Sequence, residues 1–398
     1  MPGYELFGDA ERKEVNDVLQ TGIIPRYGFE AARKGVSKAT DLEKAICETF
    51  GCKYALLTTS GTTALITALA ALGIGAGDEV IIPTFCFAAN FEAIIAVGAI
   101  PVFVDVNDTL ALVPAAIEKA ITSHTKAIMP VHMCGSMAPL DELIDLADKY
   151  NVLLLEDACL AVGASYKGKY LGTMGHAGVY SFDISKMITC GEGGAIITDN
   201  EEVYKRARSF TDHGHDHTDK DRAADPHTYL GYNYRITELH AAVGLAQVRR
   251  LPQFLAIQLR NHNIIYEALK DIPGITFRSI PDPGGNTGAY LSFFLSREDI
   301  ARHTFNELKK AGLKSIYYWY DNNWHYIGNW QHLKSGSWMH RLYEEQKMQV
   351  MHYSNQAFPM SDAVMGCCIS VGISLLWDET MARDIAGKIA SVLQRTAE

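Results

Sequence analysis

The chemistry in this sequence is concentrated around one lysine. Lys186 lies in Val179-Tyr-Ser-Phe-Asp-Ile-Ser-Lys186-Met-Ile-Thr-Cys-Gly-Glu-Gly-Gly-Ala-Ile-Ile-Thr198, between two short β-like runs. Ser181 and Phe182 precede it and a Gly-Glu-Gly-Gly turn follows it. Burying a lysine is costly unless its charge is lost or paired. At the edge of a packed core, desolvation disfavours the ammonium form and frees a nucleophilic amine, so Lys186 is a candidate Schiff-base former. A solvated loop lysine is the competing reading. Other groups bear on the choice. Asp157 ends the apolar run Val152-Leu-Leu-Leu-Glu-Asp157. Ser60-Gly61-Thr62 sits where a short strand run meets an apolar helix, a place whose N–H groups and hydroxyls suit a phosphate. An ordinary helix cap explains Ser60 equally well. Phe87 offers an aromatic face, and Ser181 a further hydroxyl.

An amine, an acid for a pyridine nitrogen, an aromatic face and a phosphate cradle are together what pyridoxal 5'-phosphate requires of a protein. The acid keeps the ring nitrogen protonated, so the ring accepts electrons as a substrate C–H bond breaks. The freed lysine then carries the proton between carbon atoms.

The elements that must bring these groups together are legible as alternation. Apolar strand runs at 79–83, 100–105, 127–132 and 152–157 alternate with helical stretches at 91–97, 115–121 and 140–149. This predicts an α/β fold with a mostly parallel central sheet and helices on both faces. Ligands of such sheets sit beyond the C-terminal strand ends. Phe87, His132, Asp157 and Lys186 all follow strand runs and are expected on one rim. Residues 1–251 are expected to form an N-terminal arm and large domain. Residues 252–398 form a smaller α+β domain, with strands at 275–280, 290–295 and 314–320 and a closing helix at 380–393. The polar segment 209–235, rich in Asp and His, is expected to be a lid or disordered. A helix follows it to about Leu269. The aromatic run Tyr317-Tyr-Trp-Tyr-Asp-Asn-Asn-Trp324-His325 reads more readily as core or subunit interface than as a binding site.

Composition narrows the function. A net charge of −10 over 398 residues argues against a general nucleic-acid or anionic-membrane binder. No apolar run reaches the roughly 18–20 residues of a membrane helix. The opening Met-Pro-Gly-Tyr-Glu-Leu-Phe-Gly lacks the regions of a signal peptide. A soluble, cytoplasmic chain is expected, with its eight scattered cysteines reduced. His213-Gly-His215-Asp-His217 suggests either a metal or a polar loop over a substrate. No second ligand cluster stands near it, and no metal is expected.

Eight ordered motifs resemble one family, the DegT/DnrJ/EryC1/StrS sugar aminotransferases. They are Ser60-Gly-Thr-Thr-Ala-Leu65, Gly73-Ile-Gly-Ala-Gly-Asp-Glu-Val80, Gly98-Ala-Ile-Pro-Val-Phe-Val-Asp105, Thr125-Lys-Ala-Ile128, Glu156-Asp157-Ala158, Ser181-Phe182 with Lys186, Gly191-Glu-Gly-Gly194 and Gly231-Tyr-Asn233-Tyr-Arg235. The resemblance implies a fold-type-I enzyme like aspartate aminotransferase, a homodimer with active sites at the subunit interface. It implies that Lys186 holds pyridoxal phosphate as a Schiff base, that Asp157 pairs with the pyridine nitrogen and that Phe87 stacks on the ring. Ser60, Gly61, Thr62 and Ser181 would bind the phosphate, and Asn233 would reach it from the other subunit. Related sugar 3-dehydratases have histidine where this chain has Lys186, so transamination is implied. One position departs from the pattern. The family usually has Gln or His where this chain has Leu160, and leucine cannot donate a hydrogen bond. A catalytically altered cofactor-binding protein is therefore an alternative.

Further motifs point to substrate. Val131-His-Met-Cys-Gly-Ser-Met137, Asp212-His-Gly-His-Asp-His217 with Lys220-Asp-Arg222, and Asn322-Asn-Trp-His-Tyr326 are similar to family members acting on the C8 aldehyde of an oxidised 3-deoxy-octulosonate (Kdo), a lipopolysaccharide sugar, with L-glutamate as donor. The resemblance makes His215, His217, Arg222, Trp319, Asn323 and His325 pocket candidates, with Arg222 the cation for a sugar carboxylate. Loop packing is the alternative for the histidines. A nucleotide-linked keto sugar is the other acceptor considered.

Overall fold

The computed structural model describes residues 3–219, 221–338 and 342–396. The opening Met-Pro and Lys220 lie outside the described residues. The arm forms a 3-10 turn at Gly3–Leu6 and helix α1 (Asp9–Thr21), then α2 (Glu30–Arg33) and α3 (Lys38–Phe50). The large domain continues through β1 (Tyr54–Thr58), α4 (Gly61–Ala71), β2 (Glu79–Pro83), α5 (Ala89–Ala96), β3 (Ile100–Val104), α6 (Pro114–Ala120), β4 (Thr125–Ile128), α7 (Leu140–Tyr150) and β5 (Leu153–Asp157). A small hairpin follows, β6 (Ser165–Tyr166) and β7 (Lys169–Tyr170), then β8 (Ala177–Ser181), β9 (Gly194–Thr198) and α8 (Glu201–Phe210). Helix α9 (Glu238–Leu269) leads to the small domain: β10 (Ile275–Phe277), β11 (Tyr290–Leu295), α10 (Glu298–Lys310), β12 (Ile316–Tyr317), α11 (Gln331–Ser335), α12 (Glu344–Ser354), α13 (Pro359–Cys367), β13 (Cys368–Gly372) and α14 (Glu379–Thr396).

Seven strands form the main sheet in the order β1-β9-β8-β5-β4-β2-β3. β8, β5, β4, β2 and β3 run parallel, while β9 is antiparallel to both of its neighbours. The apolar strand runs divide their side chains between the two faces. Val80 and Ile82 enter one buried cluster and Ile81 the other; Leu155 and Leu154 part in the same way. This period of two on a sheet covered on both sides explains why its strands read as continuous apolar runs. The small domain carries an antiparallel sheet ordered β10-β11-β13-β12 with its own core around Phe293, Ile369 and Ile389.

Residue 252 falls inside α9, which runs unbroken past Pro252 and packs on α1, α3 and α14. The described residues of the segment 209–235 are tied together by hydrogen bonds. The Asp225 carboxylate accepts N–H bonds from His217, Thr218 and Asp219 at 2.8–3.0 Å, and His215 Nδ1 lies 3.1 Å from it. Bridges join Asp212 to Asn233 and His215 to His227. Carboxylates here do the organising that periodic apolar residues do elsewhere.

Candidate active site

A cavity of about 460 Å³ lies beyond the C-terminal ends of β1, β2, β5 and β8. After β1 the chain turns into α4 at Ser60, whose Oγ accepts the Thr63 N–H at 3.1 Å. Its carbonyl takes the Ala64 N–H at 3.0 Å. The N–H groups of Gly61 and Thr62 precede these bonds and have no partner within the helix, so they are available to an anion. A Cβ on Gly61 would stand 2.8 Å from Ser181 Cβ, which shows how closely the end of β8 approaches the helix start. Behind them, a Cβ on Gly194 would stand 2.4 Å from the Ser60 carbonyl oxygen. The last glycine of the Gly-Glu-Gly-Gly motif is thus a close-packing requirement. Two free N–H groups, a helix dipole and the hydroxyls of Ser60, Thr62 and Ser181 fit a phosphate.

Asp157 ends β5, is buried, and lines the cavity. Its Oδ1 accepts the Cys159 N–H at 2.9 Å, and its Oδ2 accepts from Asn90 Nδ2 at 2.6 Å. Both oxygens are therefore fixed, and the carboxylate is oriented from below. Burial, and then the Asp157 carboxylate, push the Cys86 and Cys159 thiols well above their ordinary range, so both stay protonated.

Lys186 enters from the turn after β8. Its Nζ lies 5.9 Å from the Phe87 ring centroid. Its N–H bonds to the Asp183 carbonyl at 3.0 Å, and its own carbonyl accepts the Gly3 N–H at 2.9 Å. The N-terminal arm thus braces the lysine of its own chain. Phe87 is stacked on Trp324 at 5.6 Å and 21°, and its ring lies 5.3 Å from that of His325. His325 Nδ1 lies 2.9 Å from Asn322 Oδ1, which also accepts the Trp324 N–H at 2.8 Å. The second bond fixes that amide atom as oxygen, so Nδ1 carries the proton and Nε2 is a free acceptor. Burial, and then the Lys186 charge, lower the His325 pKa to about 3. The imidazole is neutral.

The remaining candidates divide. Phe87, Asp157, Ser181, Lys186, Trp319 and His325 line the cavity with the α4 start, and so does Leu160, which offers no hydrogen bond there. Asn322, rather than Asn323, lines it; the Asn323 carbonyl accepts from Trp330 Nε1 at 3.0 Å. His132 is not on the rim. It is fully buried, its Nε2 3.1 Å from Glu156 and its Nδ1 accepting the Ala138 N–H. His215, His217, Arg222 and Asn233 do not line the cavity of their own chain. Arg222 makes two bonds to Asp212, at 2.8 and 2.9 Å, and Arg235 makes a third at 2.6 Å. His217 packs at 4.8 Å from the Tyr27 ring, and burial, then Arg208, lower its pKa to about 4. Sequence reasoning missed Asn90, Asn322, Trp324 and Glu192. Asn90 follows Phe87 by one helical turn, and the other three lie inside the motifs Asn322-Asn-Trp-His-Tyr326 and Gly191-Glu-Gly-Gly194. Among the described residues, no group of three or more His, Cys, Asp or Glu side chains is arranged to hold a metal, and no helix is long and apolar enough to cross a membrane.

The geometry has many relatives. The model of the DegT/DnrJ/EryC1/StrS aminotransferase family matches residues 7–389. An aminotransferase from Psychrobacter cryohalolentis is similar with a TM-score of 0.84 at 25% identity, over 98% of each chain. 3-Amino-5-hydroxybenzoic acid synthase is similar at 29% identity and a TM-score of 0.80, over 98% of this chain and 97% of that one. GDP-4-keto-6-deoxy-D-mannose-3-dehydratase from E. coli, solved with bound hydrated pyridoxal phosphate, shares the fold at 24% identity and a TM-score of 0.79, over 97% of each chain.

Proposed function

Because the chain belongs to the DegT/DnrJ/EryC1/StrS family and is a pyridoxal-phosphate-dependent transaminase, we propose that it moves an amino group from L-glutamate to a carbonyl sugar. The observation that carries this is the meeting of Lys186 Nζ with Phe87 in one cavity with Asp157 and the free helix start at Gly61–Thr62. Bound there, pyridoxal phosphate supplies a carbonyl carbon that takes up the amino group and a ring that accepts electrons as a C–H bond breaks.

The residues' own parts follow. Gly61, Thr62, Ser60 and Ser181 hold the phosphate. Asp157, oriented by Asn90 and Cys159, holds a proton at the pyridine nitrogen. Phe87 offers its face to the ring. The Lys186 amine carries a proton to and from the reacting carbons. Two half-reactions share the cavity, donor first and acceptor second.

Our reading of the acceptor is the C8 aldehyde of an oxidised 3-deoxy-octulosonate, supported by the motifs around His213–His217 and Asn322–Tyr326. Among the described residues, Lys186 is the only lysine or arginine lining the cavity, beside Asp157, Asp183 and Glu192. A substrate carboxylate must therefore find its cation elsewhere. We assign this to a cytoplasmic homodimer in which His215, His217, Arg222 and Asn233 serve the partner's cavity. For Arg222 this requires sharing its guanidinium with Asp212. A nucleotide-linked keto sugar is the second reading, favoured by the likeness to a dehydratase named for such a substrate.

The test is to load the protein with the aminated cofactor and add each acceptor in turn, following cofactor absorbance and product mass. Reversion with the C8-oxidised octulosonate and gain of one amino group supports the first reading. Reversion only with nucleotide-linked keto sugars replaces it with the second, and reversion with neither removes the sugar acceptor.

A further inference from the structure

Trp324 is 63% exposed, although it stands at the wall of a deep cavity. A large aromatic ring left in water at such a place is unusual, because Trp ordinarily buries most of its area. The ring is not loose. One face is stacked on Phe87 at 5.6 Å and 21°. The backbone N–H of Trp324 donates to Asn322 Oδ1 at 2.8 Å, and its backbone carbonyl accepts the Ala88 N–H at 2.9 Å. The next carbonyl, that of His325, accepts the Cys86 N–H at 3.0 Å, and Phe85 bridges to Tyr326. The segment is fastened like a strand against the chain that carries Phe87. A rigid aromatic face is thereby presented outward, with little entropy left to lose when something covers it.

Its neighbours define what fits. Asn322, Ser185, Asp183 and Glu192 line the same cavity and offer acceptors, a hydroxyl and negative charge, with no arginine among the described residues there. Such a rim takes hydrogen bonds from sugar hydroxyls. The C–H face of a pyranose is apolar and covers an aromatic ring well.

We infer that Trp324 is a specificity-determining platform on which the neutral, polyhydroxylated ring of the acceptor stacks, leaving the acceptor's anionic group outside this mouth. The inference rests on the carbonyl-sugar transaminase reading and deepens it. Trp324 positions the ring so that the reacting carbonyl reaches inward toward Lys186. Phe87 neighbours both, 5.6 Å from the Trp324 ring and 5.9 Å from Lys186 Nζ.

The test uses the cofactor-loaded Trp324→Leu and Trp324→Phe proteins. Each is converted to the aminated form with L-glutamate, then given either C8-oxidised 3-deoxy-octulosonate or glycolaldehyde, a two-carbon aldehyde with no ring. For Trp324→Leu, the ratio of octulosonate to glycolaldehyde kcat/KM is expected to fall about tenfold, mainly through KM, with Trp324→Phe recovering most of it. Equal losses on both aldehydes would mean a structural role and overturn the inference. So would an unchanged ratio, or a Trp324→Leu protein that turns from dimer to monomer, which would make the ring a subunit contact. If the unsubstituted protein aminates no ring sugar while still reacting with glutamate, the parent reading fails and the platform with it. A loss confined to the variant leaves that reading standing.

Discussion

Lys186, Asp157 and the Ser60–Thr62 turn come from three strand ends, and each is held by bonds made outside the cavity. Asp157 is gripped by Asn90 and the Cys159 N–H, the helix start by Ser60 and Thr63, and Lys186 by backbone bonds on both sides. The site is therefore pre-formed before anything enters it. At this scale one substitution is decisive. Lys186→Ala should fold normally, because Nζ faces the open cavity, yet lose the absorbance of the lysine-bound cofactor and at least about 10³-fold in turnover. A variant retaining that absorbance would mean another lysine does the work. That Lys186, Asp157, Phe87 and Ser60–Thr62 share one cavity was legible, since each follows a strand run in a recognisable motif. The residues that orient them were less so. Asn90 is an ordinary helix residue until folding sets its amide 2.6 Å from Asp157. Arg222 reads as a free cation because its partnership with Asp212 closes a loop with no periodic pattern.

Among the elements, the N-terminal arm is unexpectedly tied to the site. Gly3 donates to the Lys186 carbonyl, Gln247 of α9 bonds to the Gly3 carbonyl, and Glu11 of α1 accepts from Gln247 and Arg250. A Cβ on Gly3 would lie 2.0 Å from Gln247 Oε1 and 2.6 Å from the Met187 carbonyl oxygen. The first atom can swing away and the second cannot. Gly3→Ala is therefore expected to cost about 1–3 kcal/mol by overpacking and to loosen the lysine turn. Thermal unfolding should show the stability loss, and dialysis should show faster release of cofactor. Unchanged retention would mean the arm does not brace the lysine. The α/β alternation and α9 to Leu269 were readable because their periods of 2 and 3.6 are local. The 209–235 segment was not, because its order comes from carboxylate–backbone bonds that leave no period. Beyond residue 330, the short helices α11 and α12 pack through scattered aromatics such as Trp330, which carry no strong pattern either.

For the whole molecule, two partly buried neutral histidines contribute to the response to acid. His325 holds off its proton to about pH 3 and His217 to about pH 4, both chiefly through burial. A histidine in the unfolded chain protonates near pH 6.5. Between those values the unfolded state binds more protons, so stability rises with pH. The contribution is full above about pH 6.5 and is lost as pH falls toward 4 and then 3, at most about 1.4 kcal/mol per pH unit for each histidine. Asp212 is lowered as well, since Arg222 and Arg235 overcome its burial, and it adds a loss only below the ordinary carboxylate range. Urea unfolding midpoints measured from about pH 7 to about pH 4.5 should fall, and the slope should be shallower in His325→Gln. A flat profile would mean that these imidazoles are charged in the folded protein.

The central claim is that this cavity, Leu160 included, performs transamination. The most direct measurement is the absorbance spectrum of the cofactor-loaded protein before and after adding L-glutamate, with no acceptor present. A shift from the lysine-bound form to the aminated form, with release of one equivalent of 2-oxoglutarate, is the predicted result. A spectrum that shows the lysine-bound cofactor and does not move with glutamate or other amino acids would contradict it, and would make this a cofactor-binding protein without the donor half-reaction.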